Sequence, residues 1–296
     1  MFKAWTGKMC AALLLVGVMG VDAASLLQAR VQGSGPAVLM LPGLGCPGQV
    51  WDELAGVLAK THRVHVLEVP GFAGNAPLQR EGALLPSLVR AVNDYADAQQ
   101  LVRPILIGHS FGGFLATHLA TQQPERFGAV IALDGVPFYS ALLNPVATPA
   151  GVEPMAAQFR AALLAQDQAG FRAQQELFLS GMMRDPARAA ALSQHTARSD
   201  RSTFADAMYE LMTTDLRPHL QRLEQPMLLI GAVGVFDDPA ARERAGAAYR
   251  AQVVGQTKIE LRLAERARHF VQFDDPKWLA RTVLEFLQRA EQGARP

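Results

Sequence analysis

The sequence predicts an α/β protein: a doubly wound, mostly parallel sheet carrying an inserted all-helical cap. Three observations lead there. Short apolar runs alternate with helical periodicity from residue 26 to 135 and again from Met227 onward, the pattern of parallel strands joined by crossover helices. Between Val136 and Leu223 the alternation stops and only helical spacing remains. The run Pro104-Ile105-Leu106-Ile107 passes straight into Gly108-His109-Ser110-Phe111-Gly112 and then into a helical pattern, so strand, sharp turn and helix follow without a loop.

The chain opens on a targeting pattern. Lys3 and Lys8 precede an apolar run, Met9 to Val21, too short to cross a bilayer comfortably. Val21-Asp22-Ala23 offers small residues at a cleavage site, with the cut expected after Ala23 and Ala24 as the second choice. Residues 1–23 then form a signal peptide, and the protein is exported to a periplasm or secreted, with no stable membrane span after processing. An uncleaved N-terminal anchor is the alternative. Cys10 lies ahead of the apolar core of this segment, a poor place for lipid attachment, and the expected cut leaves only Cys46 and no internal disulfide.

The core is expected over 24–135 and 224–296, interrupted by a cap over 136–223. Leu26 to Val31 reads as a short opening strand, Ala37 to Leu41 as a buried strand, and Val50 to Lys60 as an amphipathic helix. Arg63 to Val69 is a strand closed by Pro70-Gly71-Phe72. Leu84 to Gln99 is helical by the spacing of Leu85, Leu88, Val89, Val92 and Tyr95. After the turn at Ser110 come a helix and the strand Gly128 to Leu133. In the cap, helices are expected at Pro154 to Gln166, Gly170 to Met183, Pro186 to His195 and Ser202 to Met212, punctuated by prolines. Its Met and Phe side chains supply apolar faces, a few of which would line an acyl pocket. Met227 to Ile230 and Lys258 to Leu263 are strands, and Trp278 to Glu291 is the closing helix.

The turn at Ser110 carries the chemistry. A G-x-S-x-G sequence between strand and helix holds its serine in a strained conformation, with the hydroxyl clear of the sheet. Small residues two positions either side avoid clashes with neighbouring strand and helix. Read blandly, this is a glycine-rich β–α turn with a bystander serine; the strand–helix context favours a nucleophile. A serine nucleophile needs a base, and the base an orienting acid. Of seven histidines, His269 follows the last predicted strand, where a loop reaches across the sheet end. His62, His65, His118, His195 and His219 read as surface or packing residues, and His109 as shaping the turn.

These features resemble the α/β-hydrolase family over nearly the whole chain after residue 23. The resemblance rests on Leu41-Pro42-Gly43-Leu44-Gly45 after the early strand, on Gly108–Gly112, and on the His269 loop followed by Asp275-Pro276. It implies an oxyanion hole made by the backbone N–H groups of Leu44 and Phe111. It also places the usual acid a few residues past Gly231, where this chain has Ala232-Val233-Gly234-Val235-Phe236 before Asp237 and Asp238. Some members, the haloalkane dehalogenase branch included, carry the acid one strand earlier, and here Asp134 ends that strand. Asp134 is ranked first, Asp237 second and Asp238 third. An aspartate at Asp134 also suits plain loop organisation. Asp215, Asp274 and Asp275 read as loop or cap residues.

Serine rather than aspartate at the turn argues against dehalogenase and epoxide hydrolase chemistry. It favours cleavage of a carboxylester, thioester or lactone through an acyl-enzyme, and the partner expected is a small-molecule, apolar acyl substrate. A serine peptidase or carbon–carbon bond hydrolase on the same fold, a haloperoxidase-like side activity, and a non-catalytic binding protein remain open. No metal or organic cofactor is expected: H-E-x-x-H, paired C-x-x-C and G-x-x-x-x-G-K patterns are all lacking. The chain has 296 residues, is 50% hydrophobic and carries a net charge of +1, which points away from nucleic acid as a partner. Oligomeric state has no signature in the sequence.

Overall fold

A computed structural model describes residues 27–293. The expected signal peptide lies outside the described residues. Seven strands, β1 (Ala29–Gln32), β2 (Ala37–Leu41), β3 (Arg63–Leu67), β4 (Ile105–His109), β5 (Val130–Leu133), β6 (Met227–Ala232) and β7 (Ile259–Ala264), form one sheet in the order β1-β3-β2-β4-β5-β6-β7. Only β1 runs antiparallel, against β3. The other pairs are parallel, as the buried apolar runs require.

Alternation along the strands divides the core into two layers. Val38 and Met40 of β2, Ile105 and Ile107 of β4, and Leu228 and Ile230 of β6 join one buried cluster. That cluster also takes in α1 (Asp52–Leu58) and α11 (Pro276–Gly293). Leu39 and Leu41, Leu106, and Met227 and Leu229 join the opposite cluster, with α2 (Leu84–Ala98) and α3 (Phe111–Gln122). Side chains two residues apart share a face, so each strand feeds both layers.

Between β5 and β6 the chain is helical: α4 (Tyr139–Leu143), α5 (Pro149–Ala165), α6 (Gln168–Ser180), α7 (Pro186–Thr196) and α8 (Arg201–Thr213). Several boundaries differ from expectation. The Val50–Lys60 helix is a 3-10 turn, Gly48–Trp51, followed by α1. Helix α5 starts at Pro149 rather than Pro154, because Thr148 caps it by accepting from Gly151 N–H at 3.1 Å and a proline suits the first helical position. Helices beyond those expected include short α4 and α9 (Pro239–Gln252), begun by Asp238, whose carboxylate accepts from Ala240 and Ala241 N–H. The one-turn helix α10 (Val271–Asp274) follows β7. No described helix is long and apolar enough to cross a membrane.

Register positions the functional loops. Leu41 pairs with Gly108, His109 with Leu133, and Leu133 with Ile230. The residues just beyond these pairs therefore emerge side by side at one sheet edge: the Pro42–Gly45 loop, Ser110, Asp134 and Gly231. Carboxyl ends of strands are where doubly wound sheets place their sites.

Candidate active site

Ser110 has φ 53° and ψ −119°, outside the regions an L-residue occupies comfortably. Such a conformation costs on the order of 1–3 kcal/mol and persists only where the surroundings impose it. Here the constraints are explicit. Ser110 N–H donates to Leu133 O at 2.8 Å, and Ser110 O accepts from Phe114 N–H at 3.0 Å as the first bond of α3. A Cβ at Gly108 would lie 2.1 Å from Gly112 O, and one at Gly112 would lie 2.3 Å from Leu41 O. Both glycines are thus required by close backbone approach. Phe111 buries its ring against Phe72 and Phe114. Its N–H stands at the first position of α3, among the groups a helix leaves without an internal partner.

Asp134 follows β5 with φ 49°, held by its N–H donating to Ile230 O at 2.7 Å. Its Oδ1 accepts from Ala232 N–H at 3.0 Å and from the Tyr249 hydroxyl. Its Oδ2 faces His269 Nδ1 at 2.5 Å. The carboxylate, only 7% exposed, is therefore fully engaged. Tyr249 comes from α9, and its ring lies over Gly231, where a Cβ would come within 2.6 Å of it. Burial, then the Asp134 charge, pushes the Tyr249 phenol well above its usual range, so it remains a donor. Asp237 and Asp238 lie elsewhere: both are exposed, and Asp238 is spent on capping α9.

The His269 loop is fixed from several sides. Its carbonyl accepts from His109 Nε2 at 3.0 Å. Burial, and secondly the neighbouring His269, lowers the His109 pKa well below its ordinary value, so this imidazole is neutral. His109 thus holds the backbone of His269, beyond shaping the turn. Phe270 N–H donates to Met182 O at 3.2 Å. Arg184 bridges the loops, donating from Nε to Arg266 O at 2.7 Å and from Nη2 to Gly234 O at 2.8 Å. Asp274, expected to be a loop residue, accepts from Arg184 and Arg268 N–H groups.

Ser110, Asp134 and His269 all line one cavity of about 170 Å³. No hydrogen bond joins the Ser110 hydroxyl to the imidazole among the described residues; apo sites often keep this contact long until substrate binds. Leu44 and Gly43 form part of the wall, and Leu142, Phe178, Leu179, Met182, Phe204 and Met208 supply much of its apolar remainder. Cys46 also faces the cavity; burial pushes its thiol up to about 12, so it is not an activated nucleophile. Among the described residues, no group of three or more His, Cys, Asp or Glu stands together as metal ligands.

A family model described as the alpha/beta hydrolase family matches residues 38–282. The chain belongs to this family. The chain is 27% identical over 214 residues to a pimeloyl-[acyl-carrier protein] methyl ester esterase of Vibrio vulnificus, covering 67% of this chain and 76% of that protein. A protein of the same description from Aeromonas salmonicida is 39% identical over 114 residues, covering 37% of this chain and 41% of its own length. Among solved structures, an enol-lactonase from Burkholderia xenovorans superposes with a TM-score of 0.69 at 19% identity, covering 88% of this chain and 96% of the other. A hydrolase from Pseudomonas aeruginosa superposes with a TM-score of 0.71 at 23% identity, covering 88% and 94%. These two likenesses speak to the fold.

Tyr249, Arg184 and the backbone role of His109 escaped the sequence reading. Tyr249 lies in a helix rich in Ala and Arg with few buried side chains, so no apolar period draws attention to it. Arg184 acts through carbonyls of loops distant in sequence, which leave no local pattern.

Proposed function

We propose that this α/β-hydrolase cleaves ester-type bonds through an acyl-enzyme, with Ser110 as nucleophile, His269 as base and Asp134 as orienting acid. The observation that carries the reading is the His269 Nδ1–Asp134 Oδ2 contact at 2.5 Å, in a cavity also lined by a strained Ser110. With Nδ1–H donating to Asp134, Nε2 is the acceptor for the serine proton. Ser110 Oγ attacks the carbonyl carbon as its proton passes to Nε2. The oxyanion is held by Leu44 and Phe111 N–H, helped by the N-terminal end of α3. The proton then goes to the departing alcohol or thiol. Water, deprotonated by His269, releases the acid and regenerates the serine. The esterases among the relatives support this class of reaction. The apolar wall supports a neutral, largely apolar acyl substrate.

Fluorophosphonate labelling, located by mass spectrometry, tests the assignment. Adduct formation at Ser110, abolished in Ser110→Ala together with ester turnover, is the expected result; turnover retained in Ser110→Ala refutes it. We also propose export after cleavage behind Ala23, which intact-mass measurement of protein recovered from the producing cells checks directly.

A further inference from the structure

Gln175 has no part in that mechanism. It lies on α6 between Phe171 and Leu179, and the three form the buried stripe of the helix. It is 3% exposed and lines the cavity. Its side-chain amide makes no hydrogen bond to protein among the described residues. Thr196, the other polar side chain of α6 or α7 there, already donates to Ser193 O at 3.2 Å.

An amide with two donors and one acceptor is costly in an apolar setting when unpaired. A leucine or methionine of similar size would complete the α6 stripe without that cost. The amide instead opens on the cavity, where an apolar side chain would serve packing better, as binding-site residues characteristically do. Its place along the helix gives its distance from the chemistry. Leu179 is one turn further on, and Met182 beyond it accepts from the N–H of Phe270, next to His269. Gln175 is thus set more than one helical turn away from that contact. Neither Lys nor Arg lines the cavity. A charged substrate group would be buried there without a counter-ion, whereas a neutral one needs only the amide.

We propose that Gln175 reads a neutral hydrogen-bonding group, such as a ketone, hydroxyl or amide, carried by the substrate several bonds from the ester that Ser110 attacks. This rests on the ester-hydrolase reading and names the substrate more narrowly: the far end of the molecule is polar and uncharged. A site built to pair such a group discriminates against the analogue lacking it, because the amide is then left unpaired.

The test uses two matched pairs: nitrophenyl hexanoate with its penultimate-ketone analogue, and hexyl acetate with its penultimate-ketone analogue. They place the ketone on the acyl and alcohol sides respectively. Wild-type protein is expected to favour the ketone by about tenfold in kcat/KM in one pair, and Gln175→Leu to bring that ratio close to one. The same substitution is expected to raise Tm, which a structural role for the amide would not allow. Gln175→Met serves if the leucine variant fails to fold. Absence of discrimination in both pairs, failure to cleave any of the four esters, an unchanged ratio in the variant, or a lowered Tm overturns the proposal. Fluorophosphonate labelling of the same preparation separates the two readings. Labelled Ser110 without discrimination leaves the hydrolase standing and removes Gln175; unlabelled Ser110 removes both.

Discussion

Replacing Asp134 with asparagine changes which nitrogen of His269 carries the proton. In the native site, Oδ1 accepts from Ala232 N–H at 3.0 Å and from Tyr249, while Oδ2 faces Nδ1. Asparagine keeps one acceptor. The Ala232 N–H belongs to the end of β6 and cannot turn, so the amide oxygen stays on its side and the NH₂ group faces the imidazole. Nδ1 must then accept, Nε2 carries the proton, and Ser110 has no base. Flipping the amide restores the productive tautomer but drives NH₂ against the buried Ala232 N–H, at a cost of about 2–3 kcal/mol. The productive form then falls roughly 30- to 150-fold. A neutral amide also stabilises the imidazolium less than a carboxylate, for about another 10- to 100-fold. Together these predict a fall in kcat of roughly 3 × 10²–10⁴, a range whose upper end matches the loss when the orienting acid of a serine triad is amidated. Nitrophenyl ester turnover, beside a thermal melt to show that the variant is folded, measures it. A kcat within tenfold of wild type, or an equal fall in Asp237→Asn, refutes the reasoning.

Tyr249→Phe keeps the ring over Gly231 and removes only the hydroxyl on Asp134 Oδ1; kcat should fall about tenfold with KM unchanged, the loss of one hydrogen bond to a charged group. Unaltered kcat would mean that Ala232 N–H alone holds the carboxylate. Acid should weaken the fold through buried His109 and half-buried His118. Burial lowers the His109 pKa well below 6.5, and burial, then His219, lowers that of His118 to about 4. Below 6.5 the unfolded chain binds protons that the folded chain refuses, so this stability is fully present above 6.5 and falls as pH drops toward 4. A denaturation midpoint that stays level or rises over that window contradicts a neutral, buried His109 and a neutral, half-buried His118.

Much of the architecture could be read directly. Ala37–Leu41, Arg63–Leu67 and Leu84–Ala98 appear within a residue or two of their expected bounds, because each declares itself by a local apolar pattern. Helix α9 could not be read this way. Pro239-Ala240-Ala241-Arg242-Glu243-Arg244 has no apolar stripe, and only Gly246, Tyr249 and Gln252 of the helix are buried. Pro154 looked like a helix start because proline so often is one; the true start is capped by Thr148, and Pro154 sits inside.

The turn at Ser110 is written in five consecutive residues, since its strain comes from glycines that let one strand and one helix approach closely. The choice among Asp134, Asp237 and Asp238 is not written locally. Asp134 and His269 are 135 residues apart in sequence, and nothing in either segment names the other. Their meeting follows from parallel register, which brings the ends of β4, β5 and β6 level, and from loops clamped by His109, Arg184 and Tyr249. Backbone geometry is governed by near neighbours and so survives in a sequence pattern. The partner of a carboxylate is decided by packing summed over the whole chain, and only the folded molecule carries it.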